Sequence, residues 1–471
     1  MYNGIVLPED KLREECGIFG IYGGENQGLS RITYYGLYAL QHRGQESAGI
    51  AVSSGGRIRH YKQMGLVSEV FDDEILEDLE GGIACGHVRY STTGDSHIIN
   101  AQPLVVRYRN GNIALAHNGN LVNAGVLRKQ LENEGVIFQT TIDSEVIANL
   151  IARLDKGDIV DAVRETMKMI EGAYAIVIMT GDKLIGARDP YGIRPLSLGK
   201  KDGSYLLSSE SCAFDTVGAR LIRDVEPGEI MVIDGAGPRS YHADIPGSDR
   251  LCIFEFIYFG RPDSIMGGKN IYMARKRSGT VLFREHPARA DIVISVPDSG
   301  TAAAIGYSEA SGIPFVEGLV KNRYVGRTFI QPKQRLREIG VALKLNVLED
   351  IVRGKKVVMV DDSIVRGTTS RKLVQMIKNA GAIEVHLRVS SPPVQYPCYF
   401  GIDTPSRREL VGANYSVEDI RRMIGADSLG YLSLQGLKEA VGGDLAYCDA
   451  CFSGNYPMAV PEEGDKYILQ K

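Results

Sequence analysis

Two short stretches carry the residue types that do chemistry. In "REECGIFGIYGG" (13–24) a lone cysteine, Cys16, stands between two glutamates and a glycine-punctuated apolar run. In "VVMVDDSIVRGTT" (357–369) an apolar run ends in two adjacent carboxylates and continues through small and hydroxyl residues. A thiol without an activating neighbour is mostly protonated at neutral pH. Cys16 therefore has three readings: a packed core thiol, a metal ligand, or a residue meant to become the first of its chain. No single histidine stands out as a base for it. A cysteine at a chain's own N-terminus carries its base, an α-amine with a pKa of about 7.7–8.0. Removal of residues 1–15 creates that arrangement.

The second stretch suits a phosphorylated sugar. Open parallel sheets bind ligands beyond the carboxyl ends of their strands, and a helix start offers N–H groups to a phosphate. Ser363, Gly367, Thr368 and Thr369 supply such donors. Asp361 and Asp362 can accept from sugar hydroxyls or help position magnesium; the plain alternative is two solvated turn aspartates. Between this loop and "VPDSGTAA" (296–303) lies "KNRYVGRTFIQPKQRLR" (321–337), with six Lys/Arg and no acid. A solvated basic loop or a nucleic-acid patch is one reading. A polyanionic substrate accounts for it better in a chain of formal charge -4.

The elements that must hold these residues follow from pattern. A chain of 471 residues exceeds one ordinary core, so two domains are expected. The 44% hydrophobic and 24% charged fractions are those of a soluble globular protein. There is no apolar run long enough for a membrane span, and the first fifteen residues do not resemble a secretory signal. The acidic balance argues against general nucleic-acid binding. Seven scattered cysteines without a leader favour a reducing, cytoplasmic setting in which they serve metals or catalysis. Cys85 and Cys212 read as small buried hydrophobes.

The first half reads as short strands (16–22, 48–52, 83–88, 113–117, 173–179, 206–208) interrupted by helical periods at 31–40 and 144–154. In the latter Ile147, Leu150, Ile151 and Leu154 share a face. The glycine- and proline-rich segment 235–250 ends that pattern and marks a boundary. Beyond it, near-continuous apolar strands lead through loops into helices at 301–311 and 369–380, the rhythm of a parallel α/β sheet.

"CGIFG", "LQHRGQESAGI" (40–50), "GHVRYSTTG" (86–94), "AHNGNL" (116–121) and "TIDSE" (141–145) resemble, in order and spacing, the N-terminal-nucleophile glutamine amidotransferases. The resemblance implies that Cys16 attacks the glutamine amide and that Asn118 and the Gly119 N–H form the oxyanion hole. Arg89 then binds the α-carboxylate and Asp143 the α-ammonium. Taken singly, Asp143 is as good a helix N-cap, "HNGN" a turn, and Arg89 a surface arginine. The later stretch resembles the phosphoribosyltransferase signature. That implies ribose contacts from Asp361 and Asp362 and a 5-phosphate cradle at Ser363, Gly367, Thr368 and Thr369. It also implies a pyrophosphate loop at 296–303, magnesium near Ser299, Asp361 and Asp362, and a flexible lid at 321–337. "RDPYGIRPL", "SSES" and "FIYFGRPDS" extend the match across the junction.

Both halves together resemble the amidotransferase family that acts on phosphoribosyl pyrophosphate. The implied fold is a four-layer αββα sandwich (16–247) after a propeptide (1–15), followed by a type I phosphoribosyltransferase domain (248–471). The implied function opens purine biosynthesis by carrying glutamine's ammonia to phosphoribosyl pyrophosphate. "CDAC" alone fits zinc, iron–sulfur or redox use. The resemblance, to the family's iron–sulfur branch, assigns Cys252, Cys398, Cys448 and Cys451 to a structural 4Fe–4S cluster, with zinc as the rival. It further implies purine nucleotide inhibitors, a homo-oligomer (a tetramer), and neither nucleic acid nor membrane as partners. The competing functions are a regulator that senses phosphoribosyl pyrophosphate without catalysis, and a sugar-phosphate aminating enzyme; the Asp361–Asp362 signature disfavours the second.

Overall fold

The computed structural model describes residues 16–23, 28–91, 94–322, 345–404, 406–443, 446–461 and 469. The expected propeptide and residues 323–337 of the basic stretch lie outside the described residues.

Two antiparallel sheets build the first half. One has seven strands in the order Arg220–Asp224, Ser197–Lys201, Ser204–Ser208, Gly17–Tyr22, Ile83–Arg89, Ser47–Ser54, Arg57–Met64. The other has six: Gly237–His242, Glu229–Asp234, Leu184–Arg188, Gly172–Met179, Gly111–Leu121, Leu104–Tyr108. The period of two sorts their side chains between layers. In the strand Gly111–Leu121, Ile113 and Leu115 pack against helices, while Ala114 and Ala116 face the other sheet. In the nucleophile strand Gly17–Tyr22, Phe19 and Ile21 turn to the helix Leu29–Ala39 and Ile18 turns inward. Alanines, Cys85, larger aliphatics and two methionines fill the space between the sheets and form one apolar core. Helices Asp143–Leu154 and Ile159–Met169 cover the six-stranded sheet, and helices Leu29–Ala39 and Cys212–Val217 cover the seven-stranded one. The result is an αββα sandwich. Each fully buried Leu or Ile in these layers contributes about 1.5–3 kcal/mol.

The second half is built on a parallel sheet in the order Ile292–Ser295, Lys356–Asp361, Glu384–Val389, Ser428–Tyr431. Phe315 bridges Val293 on the opposite side of the first strand. The chain thus leaves Ile292–Ser295 toward one edge and returns at Lys356–Asp361 on the other. This reversal opens a crevice at the carboxyl ends of those two strands, where parallel α/β sheets bind ligands. The helix Thr301–Ser311 follows the first strand and crosses the helix Ile271–Glu285 closely. A Cβ on Gly279 would lie 1.8 Å from the Ala303 carbonyl oxygen, and one on Gly306 would lie 1.9 Å from that of Lys276. Only glycine fits at either place, so the two helices are locked together.

Among the described residues no helix is long and apolar enough to cross a membrane.

Candidate functional site

Cys16 immediately precedes the strand Gly17–Tyr22, whose antiparallel register sets Gly17 against Val88. That pairing carries Cys16 beside Arg89, the last residue of its strand. The buried Cys16 thiol donates to the Tyr90 carbonyl at 3.3 Å. Burial pushes it up to about 11, against the Tyr90 contact and the Arg89 charge, while Glu46 and Asp143 also disfavour the thiolate. At pH 7 such a thiol is ionised in only about one molecule in 10⁴.

Of the residues expected around it, Arg89 and Asp143 lie within electrostatic range. Asn118 lies on the strand Gly111–Leu121, and its buried side-chain NH₂ has no hydrogen-bond partner among the described residues. A buried amide donor left unmade costs about 1–3 kcal/mol. Gly119 follows at φ +143°, and a Cβ there would lie 2.0 Å from the Ala173 carbonyl oxygen, so this close approach admits glycine alone. Arg89 is buried, donates to the Asp95 carbonyl at 3.1 Å and stands 3.8 Å from Glu46. Burial lowers its pKa against the opposing pull of Cys16, Glu46 and Asp143, which places all four groups within electrostatic range.

Asp143 is the first residue of the helix Asp143–Leu154, and Ile142 is its N-cap. Its carboxylate accepts from the Leu121 N–H at 3.0 Å and faces His117 Nδ1 at 3.4 Å. Burial works to raise its pKa; the His117 ring and backbone N–H groups outweigh that and hold it below the ordinary carboxylate range. It stays charged at neutral pH, as a partner for an ammonium must.

At the parallel sheet, Asp361 ends its strand and Asp362 begins the loop. Both are buried. The Asp362 N–H donates to Asp361 Oδ1 at 2.9 Å, Ser363 Oγ to Asp362 Oδ1 at 2.6 Å, and Ser299 Oγ to Asp362 Oδ2. The two loops expected to share a ligand are therefore in contact. The helix Thr368–Asn379 starts on Gly367 at φ +80°, a cap with no side chain of its own to place over the first-turn N–H groups of Thr368 and Thr369. Lys321, the start of the basic stretch, reaches Asp298 at 2.6 Å.

The four expected cluster cysteines also meet. Cys252 pairs with Cys448 across two short parallel strands, and the Ile253 N–H donates to the Cys448 carbonyl at 3.1 Å. The Gln395 and Tyr396 N–H groups donate to the Cys451 carbonyl, and the Phe400 N–H to Cys398 Sγ at 3.3 Å. Burial pushes Cys448 up to about 12 and raises Cys252 and Cys451, and the neighbouring thiols add to it. The fully buried Arg194 faces Cys252 and Cys448 and opposes that shift. Four soft donors beside a buried cation fit an anionic thiolate cluster. Among the described residues no three His, Cys, Asp or Glu side chains are placed to hold one metal ion.

Sequence reasoning missed the buried polar groups behind the nucleophile. Arg43 donates through Nε to the Cys16 carbonyl at 3.2 Å, through Nη1 to Glu210 at 2.5 Å, and through Nη2 to Glu255 at 2.7 Å. The pair "HR" inside "LQHRGQE" was the one available signal. Its carboxylate partners lie 167 and 212 residues away.

A glutamine amidotransferase domain family matches residues 87–216. Over 95% of its length the chain is 54% identical to the amidophosphoribosyltransferase of Archaeoglobus fulgidus, covering 99% of that protein. It is 51% identical to that of Bacillus subtilis, with 96% of each chain covered. A solved glutamine phosphoribosylpyrophosphate amidotransferase from B. subtilis, complexed with ADP and GMP, superposes with a TM-score of 0.91. It is 49% identical, over 96% of this chain and 100% of that one.

Proposed function

The chain belongs to the amidophosphoribosyltransferase family, and from that premise we propose how its residues divide the reaction between two centres. The enzyme performs the first step of purine biosynthesis: it takes ammonia from glutamine and places it on phosphoribosyl pyrophosphate. The glutaminase unit spans 16–247 and the transferase unit 248–471. The observation that carries the assignment of roles is the gathering of Arg89 and Asp143 within electrostatic range of Cys16.

Removal of residues 1–15 frees the Cys16 amine. The amine takes the thiol proton, and Sγ attacks the glutamine side-chain carbonyl carbon. Negative charge gathers on the carbonyl oxygen, where Asn118 Nδ2 and the Gly119 N–H receive it. The amine returns its proton to the nitrogen, the C–N bond breaks, and ammonia leaves a thioester that water hydrolyses to glutamate. Arg89 and Asp143 hold the α-carboxylate and α-ammonium. At the second centre ammonia attacks C1 of the ribose and pyrophosphate departs, giving 5-phosphoribosylamine. Asp361 and Asp362 accept from the ribose hydroxyls, and the loop from Ser363 to Thr369 holds the 5-phosphate. Ser299, Asp361 and Asp362 would hold magnesium, which would supply charge neutralisation for the leaving pyrophosphate.

Asn118→Ala should lower kcat for glutamine by about 10²–10³-fold, with a smaller change in KM, the usual cost of one oxyanion donor. Ammonia-dependent synthesis should stay intact; steady-state kinetics with each nitrogen donor checks both. In the processed enzyme, kcat for glutamine should rise through a single ionisation near the α-amine range of about 7.7–8.0. A rise only near 11 would mean that the thiol ionises unaided.

Cys252, Cys398, Cys448 and Cys451 would hold a 4Fe–4S cluster, which would tie the C-terminal segment to the junction. Its role is structural, since the reaction moves no electrons. Iron and sulfide analysis of anaerobically purified protein should give four of each per chain, and Cys448→Ser should lose both along with several degrees of melting temperature. One zinc per chain would contradict it. Purine nucleotides act as inhibitors, and the chain forms a homotetramer. Support for the nucleotides comes from the ADP and GMP bound to the B. subtilis relative.

A further inference from the structure

We infer that His87 and Gln102 are positioning residues for the glutaminase reaction: they hold the His117–Asn118 peptide in place of a missing strand neighbour, and so aim the Asn118 side chain and the Gly119 N–H. The inference rests on the reading above in which Asn118 and Gly119 receive the oxyanion, and it concerns two residues to which that reading gives no role.

The strand Leu104–Tyr108 pairs with the strand Gly111–Leu121 only as far as Leu104 opposite Leu115. Carried on, that register would set Gln102 opposite His117, but the pairing has ended. The other edge of Gly111–Leu121 stays paired with Gly172–Met179 as far as Leu121. Along one edge of a strand the N–H groups of every second residue point the same way. His117, Gly119 and Leu121 are three such residues on the edge that has lost its neighbour. The His117 N–H donates to Gln102 Oε1 at 2.8 Å, and the Leu121 N–H to Asp143 Oδ2 at 3.0 Å. Side chains therefore hold both ends of the row, and the alternation turns the Gly119 N–H between them to the same edge as Asp143.

The His117 carbonyl on this edge meets His87 Nε2 at 3.0 Å, across from the other sheet. A carbonyl only accepts, so Nε2 carries the hydrogen. Burial lowers the ring's pKa to about 3 against the His117 contact, and the Arg89 charge adds to the lowering. The ring is therefore neutral and its Nδ1 bare, and that Nδ1 has no hydrogen-bond partner among the described residues. His87 shares the inward face of its strand with Cys85, which is part of the apolar core between the sheets. An aliphatic side chain would fill that space without stranding a polar atom. The wholly buried imidazole is thus placed there for its single bond to the His117 carbonyl.

The surrounding backbone is shaped to this pair. Gly49 stands opposite His87 in the next strand, and a Cβ there would lie 2.2 Å from the Gln102 carbonyl oxygen. Lys62, opposite Gly49, donates to the Ala101 carbonyl at 2.6 Å. Asn100 Nδ2 donates at 2.9 Å to the Asp95 carbonyl, which also takes Arg89 at 3.1 Å. The segment that carries Gln102 is therefore fixed by the sheet that carries His87 and Arg89. Release of either hold lets the His117–Asn118 peptide rotate, and Asn118 and Gly119 turn with it. Arg89 and Asp143 keep their places, so the loss falls on the transition state rather than on glutamine binding.

The test uses processed, cluster-loaded, full-length enzyme. Steady-state rates with glutamine and with ammonium are measured alongside inhibition by glutamate and by glutamate γ-semialdehyde. The Cys16 thiol adds to the aldehyde carbon, its proton passing to the former carbonyl oxygen, so that oxygen reports on the oxyanion position; glutamate forms no such adduct. His87→Leu should lower kcat for glutamine by about 10–100-fold and weaken the aldehyde by a similar factor. KM, glutamate affinity and ammonia-dependent synthesis should each stay within about threefold of wild type. His87→Gln, whose amide nitrogen can take the place of Nε2, should bring kcat back to within about fivefold of wild type. Gln102→Met, which keeps length and removes the acceptor, should act as His87→Leu does and serves if that variant fails to fold. Unchanged kcat and aldehyde affinity in a folded variant of either residue overturns the inference. An equal loss of aldehyde and glutamate affinity, or no recovery in His87→Gln, also overturns it, because it marks packing alone. Asn118→Ala tests the reading beneath: if it leaves aldehyde affinity unchanged, the oxyanion assignment falls and this inference with it.

Discussion

Cys16→Ser should lower glutamine-dependent synthesis by on the order of 10³-fold or more, while synthesis from ammonium salts continues near the wild-type rate. The magnitude is that of losing a covalent nucleophile with its base still present. A hydroxyl ionises far less readily than a thiol, and the site that already raises the thiol to about 11 stabilises no alkoxide. Ammonia needs none of this machinery, since it enters as the product of the first centre. Paired assays with glutamine and with ammonium at equal enzyme concentration measure the split. Loss of both activities in a folded variant would contradict the division of labour.

Asp361→Asn and Asp362→Asn act on the other centre and should lower synthesis from either nitrogen source. Each carboxylate lost from a ribose hydroxyl takes away a charge-assisted hydrogen bond of about 1.5–3 kcal/mol, or about 10–150-fold in kcat/KM for phosphoribosyl pyrophosphate. Asp362→Asn should be the more severe change. Asp362 is wholly buried and takes hydrogen bonds from both Ser299 and Ser363, so an amide there removes one of the two acceptors that join the substrate loops. Magnesium titrations of both variants should need higher concentrations for half-maximal rate. Ammonia-dependent rates unchanged in either variant would mean that the two aspartates are the solvated turn residues of the plainer reading.

Much of the scaffold was legible because local pattern and tertiary demand agree. The helix expected at 301–311 is Thr301–Ser311, and the one at 144–154 begins one residue earlier, at Asp143. The phosphate loop could be read because strand, carboxylates, small residues and helix follow one another without interruption. The strands of the sandwich run longer than expected: 113–117 extends to Gly111–Leu121. Cross-strand partners sustain pairing where the sequence alone shows only polar or glycine residues.

What stayed hidden is the long-range pairing. Reading Asp143 as an N-cap was reasonable from sequence; the capping position falls to Ile142, and the carboxylate is drawn instead to a strand N–H. Composition and spacing could not select Cys252 and Cys398 over Cys85 and Cys212; only the family resemblance did. The distinction is physical in the fold: Cys252 is registered against Cys448, whereas Cys85 sits in the layer between the two sheets. The Arg43 fork likewise joins residues that leave no periodic trace.

Identity of 54% and 51% to two amidophosphoribosyltransferases, over 95% and 96% of the chain, leaves the sensing-only alternative without support. The most direct measurement counts glutamate and pyrophosphate together from anaerobically purified, processed protein given glutamine, magnesium and phosphoribosyl pyrophosphate. Coupled amidotransfer predicts release close to one-to-one, collapsing when either substrate is withheld. Glutamate formed freely without pyrophosphate, or no turnover from a processed and cluster-loaded sample, would contradict it.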